Sequence, residues 1–204
     1  MSPTARTRTS SGDDPPIGQD CEMEWLTDVG LGLENDALRL DRTSQAWIDA
    51  GARLREDVAG RLAGSVIGVE QIGSSSVLTL QAKPIVDIAV GLGDEHQLSV
   101  VHDRLEATGW IYRGNAGANG GHVFVLETKP QYRVAHVHVV DYDGGQWRNY
   151  IRLRDLLRRS PAARARYEAV KQQLVGEFGD DRTAYTDGKT NIVYMLLDEA
   201  DSAT

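Results

Sequence analysis

From Thr43 onward the chain moves between two hydrophobic rhythms. In TSQAWIDAGARLREDVAGRLAG, Trp47, Ala50, Leu54, Val58 and Leu62 recur at helical spacing, which predicts an amphipathic helix with Gly51 and Gly60 as its weak points. SVIGVEQI then reads as a strand ending at Gly73, and PIVDIAV as a second strand, apolar on both faces. The linking SSSVLTLQAK is too short for a crossover helix but has room for one or two helical turns. DEHQLSVVHDRLEATG predicts the next helix, Trp110 to Arg113 a short strand, and GNAGANGG a loop. HVFVLET and YRVAHVHVV form an antiparallel pair that turns around Pro130. Helices follow. One covers Trp147 to Arg159; the next is capped by Ser160, opened by Pro161, and buries Ala163, Tyr167, Val170, Leu174 and Phe178. TAYTDGKTNIVYMLLDEA closes the chain as a last helix. Strands gathered early and helices late predict an α+β fold with a C-terminal helical segment, not a repeating βαβ array.

A length of 204 residues accommodates one domain with a substantial core. Residues 1–28 are polar and proline-bearing at their start, so they read as a disordered leader, leaving 29–204 as a single domain. No apolar run approaches a membrane span, and Cys21 stands alone, which excludes an intrachain disulfide; both fit the cytoplasm. The formal net charge of -8 argues against general nucleic-acid binding. The charge is uneven: nine acidic residues against Arg39 between Asp13 and Asp41, and eight basic residues against Asp155 and Glu168 between Arg148 and Lys171. Two solvated faces are the favoured reading of these runs; a basic wall for a polyanion is the other.

One residue breaks the apolar strand PIVDIAV. Burying the carboxylate of Asp87 costs on the order of several kcal/mol unless a cation, hydrogen bonds or a cleft compensates it. Strand alternation puts Lys83, Ile85, Asp87 and Ala89 on one side, so an internal Lys83–Asp87 ion pair is the structural explanation. The functional explanation starts from the GSSS turn upstream. A glycine permits close backbone approach, and amides and hydroxyls there suit phosphate oxygens. A phosphate beside a carboxylate calls for a divalent cation, ordinarily magnesium.

IGSSSVLTLQAKPIVDIAV resembles the signature of the GrpB-like family of the nucleotidyltransferase superfamily, whose usual form is a histidine followed by I-G-S-T-[SA]-V-P-G-L-x-A-K-P-I-I-D-I. Trp47 and its helix, the H-x-H strand AHVHVV, the helices RLRDLLRRSPAARARYEAVKQQL and the YTDGKT segment are also similar, over roughly residues 29 to 200. The resemblance implies a polymerase-beta-like mixed sheet flanked by helices. Gly73, Ser74 and Ser75 would then hold a nucleoside triphosphate and Asp87 a metal ion. Lys83, Arg133, Arg154 and Lys189 are further candidates for the phosphates, since guanidinium and ammonium groups pair with them. Arg154 beside Asp155 equally suits a surface ion pair, and Tyr185 and Lys189, four apart on a helix, either face the cleft or brace it. The superfamily's second carboxylate position is Ala89, Gln71 stands in place of the family histidine, and Leu78 and Thr79 replace its Pro-Gly.

His136 and His138 are two apart and share a strand face, so Asp87 with one or both could form a mixed site. Magnesium or manganese suits Asp87, and zinc becomes an option if the histidines ligate. His122, His96 and His102 read as surface residues. The expected function is a metal-dependent nucleotidyltransferase that moves a nucleoside monophosphate to a small-molecule acceptor. A catalytically degenerate nucleotide-binding module and a histidine-based metallohydrolase are the alternatives.

Overall fold

A computed structural model of the chain describes residues 23–117, 121–179 and 181–202. Its first elements are helix α1 (Glu24–Asp28), strands β1 (Leu33–Glu34) and β2 (Asp41–Arg42), helix α2 (Gln45–Arg61), strand β3 (Gly68–Ile72), a single 3-10 turn (Ser74–Ser76), and strands β4 (Gln81–Ala82) and β5 (Val86–Leu92). Helix α3 (Leu98–Glu106) follows, then β6 (Ile111–Asn115), β7 (His122–Lys129) and β8 (Tyr132–Asp141). Helices α4 (Gly145–Arg159), α5 (Pro161–Phe178) and α6 (Arg182–Ser202) complete the order.

The described structure includes residues on the leader side of the expected boundary at residue 28. Leu26 is fully buried, and Met23, Trp25 and Val29 pack on the same core, so the apolar residues of MEWL anchor a segment read as leader. Residues 1–22, with Cys21, lie outside the described residues. Among the described residues no helix is long and apolar enough to cross a membrane.

The main sheet runs β3-β5-β8-β7-β6, with β1 pairing an end of β8, while β2 and β4 form a separate pair. Strands β5 and β8 are parallel and the other neighbours antiparallel, so the sheet is mixed, as the α+β reading requires. One face carries Ile88, Val90, Val137 and Phe124 and is sealed by apolar residues of α2 and α3. The predicted helical stripe of α2, Trp47, Ala50, Leu54 and Val58, is buried there, and Ser44 caps the helix by accepting the Trp47 amide proton at 3.3 Å. Gly51 is not a weak point but a clearance: a Cβ at this position would overlap the side-chain amide of Gln71, which is buried beneath it.

The second face carries Ile72, Ala89 and Val140 under Trp147 of α4. This face stays partly open where β5 and β8 begin, and there the polar groups of interest collect. In α5, Ala163, Tyr167 and Leu174 are buried as expected, whereas Val170 is only partly buried and Phe178 is 39% exposed. The surprise on that stripe is Lys171, 1% exposed.

Candidate functional site

Asp87 sits at the second position of β5, with Ile72 and His136 as its cross-strand neighbours. His138 lies in register with Ala89, two residues along the strand from Asp87. Opposed residues share a face, which delivers all three side chains to one spot. Asp87 Oδ1 is 3.2 Å from His136 Nδ1 and 3.6 Å from His138 Nε2. Burial pushes the Asp87 carboxyl up, yet hydrogen bonds and charge from the two histidines more than offset this and hold it well below the usual carboxylate range. Burial pushes His136 down despite Asp87.

The Lys83–Asp87 ion pair weighed from the sequence gives way to this arrangement. The carboxylate is compensated by imidazoles, and the Lys83 ammonium lies 4.4 Å over the Tyr185 ring. The fit of these residues to a cation follows from their grouping. His136 Nε2 and His138 Nδ1 are buried with no hydrogen-bond partner in the described structure. Ligand atoms of Asp87, His136 and His138 all lie within 4.8 Å of one another, the one such His/Cys/Asp/Glu group among the described residues. Tyr150 of α4 closes over them, its ring 5.5 Å from that of His138, and its hydroxyl is pushed up to about 12 by burial and by Asp87.

The Gly-Ser turn abuts this group. Gly73 has φ 73°, and a Cβ on it would lie 3.0 Å from Asp87 Cβ and nearer still to Oδ2, so only glycine fits. The three serines divide. Ser76 donates to the Gly73 carbonyl at 2.7 Å and closes the turn. Ser75 is 1% exposed, and its hydroxyl is buried without a hydrogen-bond partner in the described structure. Ser74 is half-buried, and its hydroxyl accepts from Lys171 Nζ at 3.4 Å.

Lys171 was invisible as a candidate in the sequence, although a lysine four residues after Tyr167 on a core stripe is itself a signal. Its ammonium also donates to the Gln81 carbonyl and lies 4.6 Å over the Tyr167 ring. Burial and the charge of Lys189 bring it down to about 7, against a smaller upward pull from Glu168. Lys189 and Lys83 flank the Tyr185 ring at 4.9 and 4.4 Å. Lys171 thus stands at the turn, and Lys189, whose charge Lys171 feels, shares the Tyr185 ring with Lys83.

Two arginine candidates stand elsewhere. Arg154 is 11% exposed and clamps α4 to β3: it donates at 2.8 Å to both Glu70 and Asp155 and at 3.0 Å to the Gln71 carbonyl. It is an inward clamp that includes the Asp155 pair weighed from the sequence, with both acids half in water. The rest of the basic run is similarly engaged. Arg158 donates to Ser76 O, Arg152 to Leu197 O and Arg164 to Leu157 O, while Arg148 and Arg166 face Asp143 and Glu199. The basic wall is largely a set of carbonyl and carboxylate ties. Arg133, on the same strand as the histidines, lies 3.8 Å from Glu127 of β7. His122 meets the Tyr112 hydroxyl at 2.8 Å, away from the site.

Relatives share this architecture. The family description "GrpB protein" matches residues 37–199. The glutamate-rich protein GrpB of Alkalihalophilus pseudofirmus is 29% identical over 175 residues, covering 83% of this chain and 99% of the relative. The crystal structure of conserved protein GrpB from Enterococcus faecalis superposes with a TM-score of 0.68 at 26% identity, covering 79% of this chain and 99% of that one. A chain of the GLD-2/RNP-8 complex shares the fold alone, at 13% identity and a TM-score of 0.50, covering 88% of this chain and 55% of that one. The fold is nucleotidyltransferase-like. With the signature around Gly73 and Asp87 and the matching helices, the chain belongs to the GrpB protein family.

Proposed function

We propose that this protein is a metal-dependent nucleotidyltransferase that transfers a nucleoside monophosphate from a nucleoside triphosphate to a small-molecule acceptor. The observation that carries the reading is adjacency. The Asp87–His136–His138 group and the lysine-lined Ser74 turn meet at Gly73, which touches Asp87 and leads into Ser74. In the transfer an acceptor hydroxyl gives its proton to solvent as its oxygen attacks the α-phosphorus; a phosphorus–oxygen bond forms and the bond to the α,β-bridging oxygen breaks to release pyrophosphate. Ser74 holds the departing phosphates, with the buried Lys171 ammonium behind it and Lys189 and Lys83 adding charge beside them. Asp87, His136 and His138 would hold one cation, which supplies charge neutralisation at the reacting phosphate. Two imidazoles and one carboxylate favour manganese or zinc over magnesium.

A specific observation favours a second reading. Ala89 is fully buried among Ile72, Val140 and Trp147, so the place of the second acid is apolar core, and a non-catalytic nucleotide-binding module follows if one cation is insufficient. The test is metal analysis of purified protein, then nucleoside triphosphate titration with and without manganese, then pyrophosphate release across an acceptor panel. Metal-tightened binding with release that Asp87→Asn abolishes supports the transferase. Tight binding without release from any acceptor supports the module. Absence of nucleotide binding in every condition defeats both.

A further inference from the structure

Strict alternation along β8 would put Arg133 on the opposite face from His136 and His138. The pairing with β7 shows otherwise. His136 opposes Val125 and Ala135 opposes Leu126, but Arg133 opposes Glu127, so Val134 is an extra residue on β8. Val134 and Ala135 both turn into the core, each 0% exposed, as a bulge requires. The bulge re-aims Arg133 to the histidine face, where its charge is felt at His136. Arg113 of β6 reaches the same carboxylate, donating to Glu127 Oε1 at 2.9 Å. Two guanidinium groups therefore share one acid. Glu127 is further occupied, accepting the Gln131 amide at Oε2 at 2.9 Å. Arg133 Nε is buried without a hydrogen-bond partner in the described structure, and its 3.8 Å approach to Glu127 is too long to provide one.

We infer that Arg113 and Arg133 form an oxyanion subsite that holds a carboxylate or phosphate group of the acceptor, so that the acceptor is an acidic small molecule. This rests on the transferase reading for the word acceptor, though not for the anion. Across the sheet the order is Ser74 turn, Asp87, histidines, Glu127, Arg113, which leaves the metal-ligand group between two cationic regions. One region suits the leaving phosphates; the other faces the opposite side, where an attacking molecule must stand for in-line displacement. Like-charge repulsion between Arg113 and Arg133, with partial burial, favours an incoming anion that supplies the missing hydrogen bonds.

The experiment titrates the full chain with glycerol, glycerate and glycerol 3-phosphate, which share hydroxyls and differ in charge, and repeats it with Arg133→Gln, Arg113→Gln and Ser74→Ala. The expected result is that glycerate or glycerol 3-phosphate binds at least about tenfold more tightly than glycerol. That preference is lost in both arginine variants and kept in Ser74→Ala. The stronger of the two charged probes distinguishes a carboxylate from a phosphate. Charged probes that bind no better than glycerol, or binding lost in Ser74→Ala but kept in Arg133→Gln, would overturn the subsite. Arg133→Lys and the more exposed Arg113→Gln guard against a misfolded Arg133→Gln. Binding of a non-hydrolysable nucleoside triphosphate analogue is measured separately. Its failure in wild type defeats the transferase reading while an arginine-dependent anion site survives.

Discussion

Gly73 and Asp87 occupy one another's space: where a side chain on Gly73 would begin, the Asp87 carboxylate already stands. The glycine also holds φ 73°, a conformation that costs other residues about 1 kcal/mol or more. Gly73→Ala is therefore expected to displace either the turn or the carboxylate. Thermal unfolding should show a loss of roughly 1–3 kcal/mol, and nucleotide and metal affinity should fall together. A variant with wild-type stability and affinity would show that the contact is not maintained in solution.

Lys171 offers a pH test. In the folded protein it titrates near 7, against an ordinary value of 10.5, because it is buried and Lys189 is close. The groups facing it are Ser74, the Gln81 carbonyl, the Tyr167 ring, Lys189 and Glu168. A bound polyphosphate favours the protonated amine, so the complex takes up a proton between pH 7 and the raised value of the bound form. Affinity for a triphosphate should accordingly be greatest below pH 7 and fall up to about tenfold per pH unit above it. Stability without ligand runs the other way. Above pH 7 the unfolded lysine binds the proton that the folded one lacks, so stability rises from pH 7 towards 10.5. Calorimetry between pH 7.5 and 9, in buffers of differing ionisation enthalpy, measures the uptake directly. Lys171→Met should abolish it and weaken triphosphate binding; unaltered uptake in that variant would refute the assignment.

The histidine pair makes a prediction about metal identity. Elemental analysis of wild-type protein equilibrated with equal magnesium, manganese and zinc should find manganese or zinc at up to one ion per chain. His136→Ala and His138→Ala should each lower that affinity at least about tenfold, and Asp87→Asn likewise. Magnesium retained equally by both histidine variants would leave Asp87 as the sole protein ligand.

The long elements were legible because their hydrophobic periods are long: the α2 stripe, the β7–β8 hairpin and the Ser160–Pro161 helix start all stand where the pattern puts them. Asp87 was legible as a lone acid in an apolar strand, and His136 and His138 by their spacing of two. What stayed hidden depends on tertiary neighbours. Arg133 changes face through one inserted residue, which alternation does not register. Ser74 and Ser75 are adjacent on a single 3-10 turn, yet only Ser74 has its hydroxyl bonded to Lys171 while Ser75 is buried. Lys171 was passed over because a lysine on a helix is ordinarily solvated, and its burial becomes evident only when α5 meets Gln81 and Ser74. In the basic run from Arg148, the spacing shows the charges but not their partners: Arg152, Arg158 and Arg164 donate to the carbonyls of Leu197, Ser76 and Leu157.

Arg154 decides between clamp and ligand. It is 11% exposed and joins Glu70 of β3 to Asp155 of α4, while these acids are 44% and 43% exposed. Breaking a fully buried pair costs about 3–5 kcal/mol, whereas an exposed pair contributes about 0–1. With one partner buried and two half in water, Arg154→Ala should cost roughly 1–3 kcal/mol. For a chain of this size the corresponding drop in melting temperature is on the order of 2–10 °C. Glu70→Gln should cost less, and the double variant should fall short of the sum, since both changes remove one interaction. Triphosphate affinity, measured below the lowered melting point, should stay within about threefold of wild type, because the clamp lies behind the turn and its guanidinium is already occupied by carboxylates. An Arg154→Ala protein that melts like wild type but no longer binds triphosphate would return this residue to the phosphate ligands.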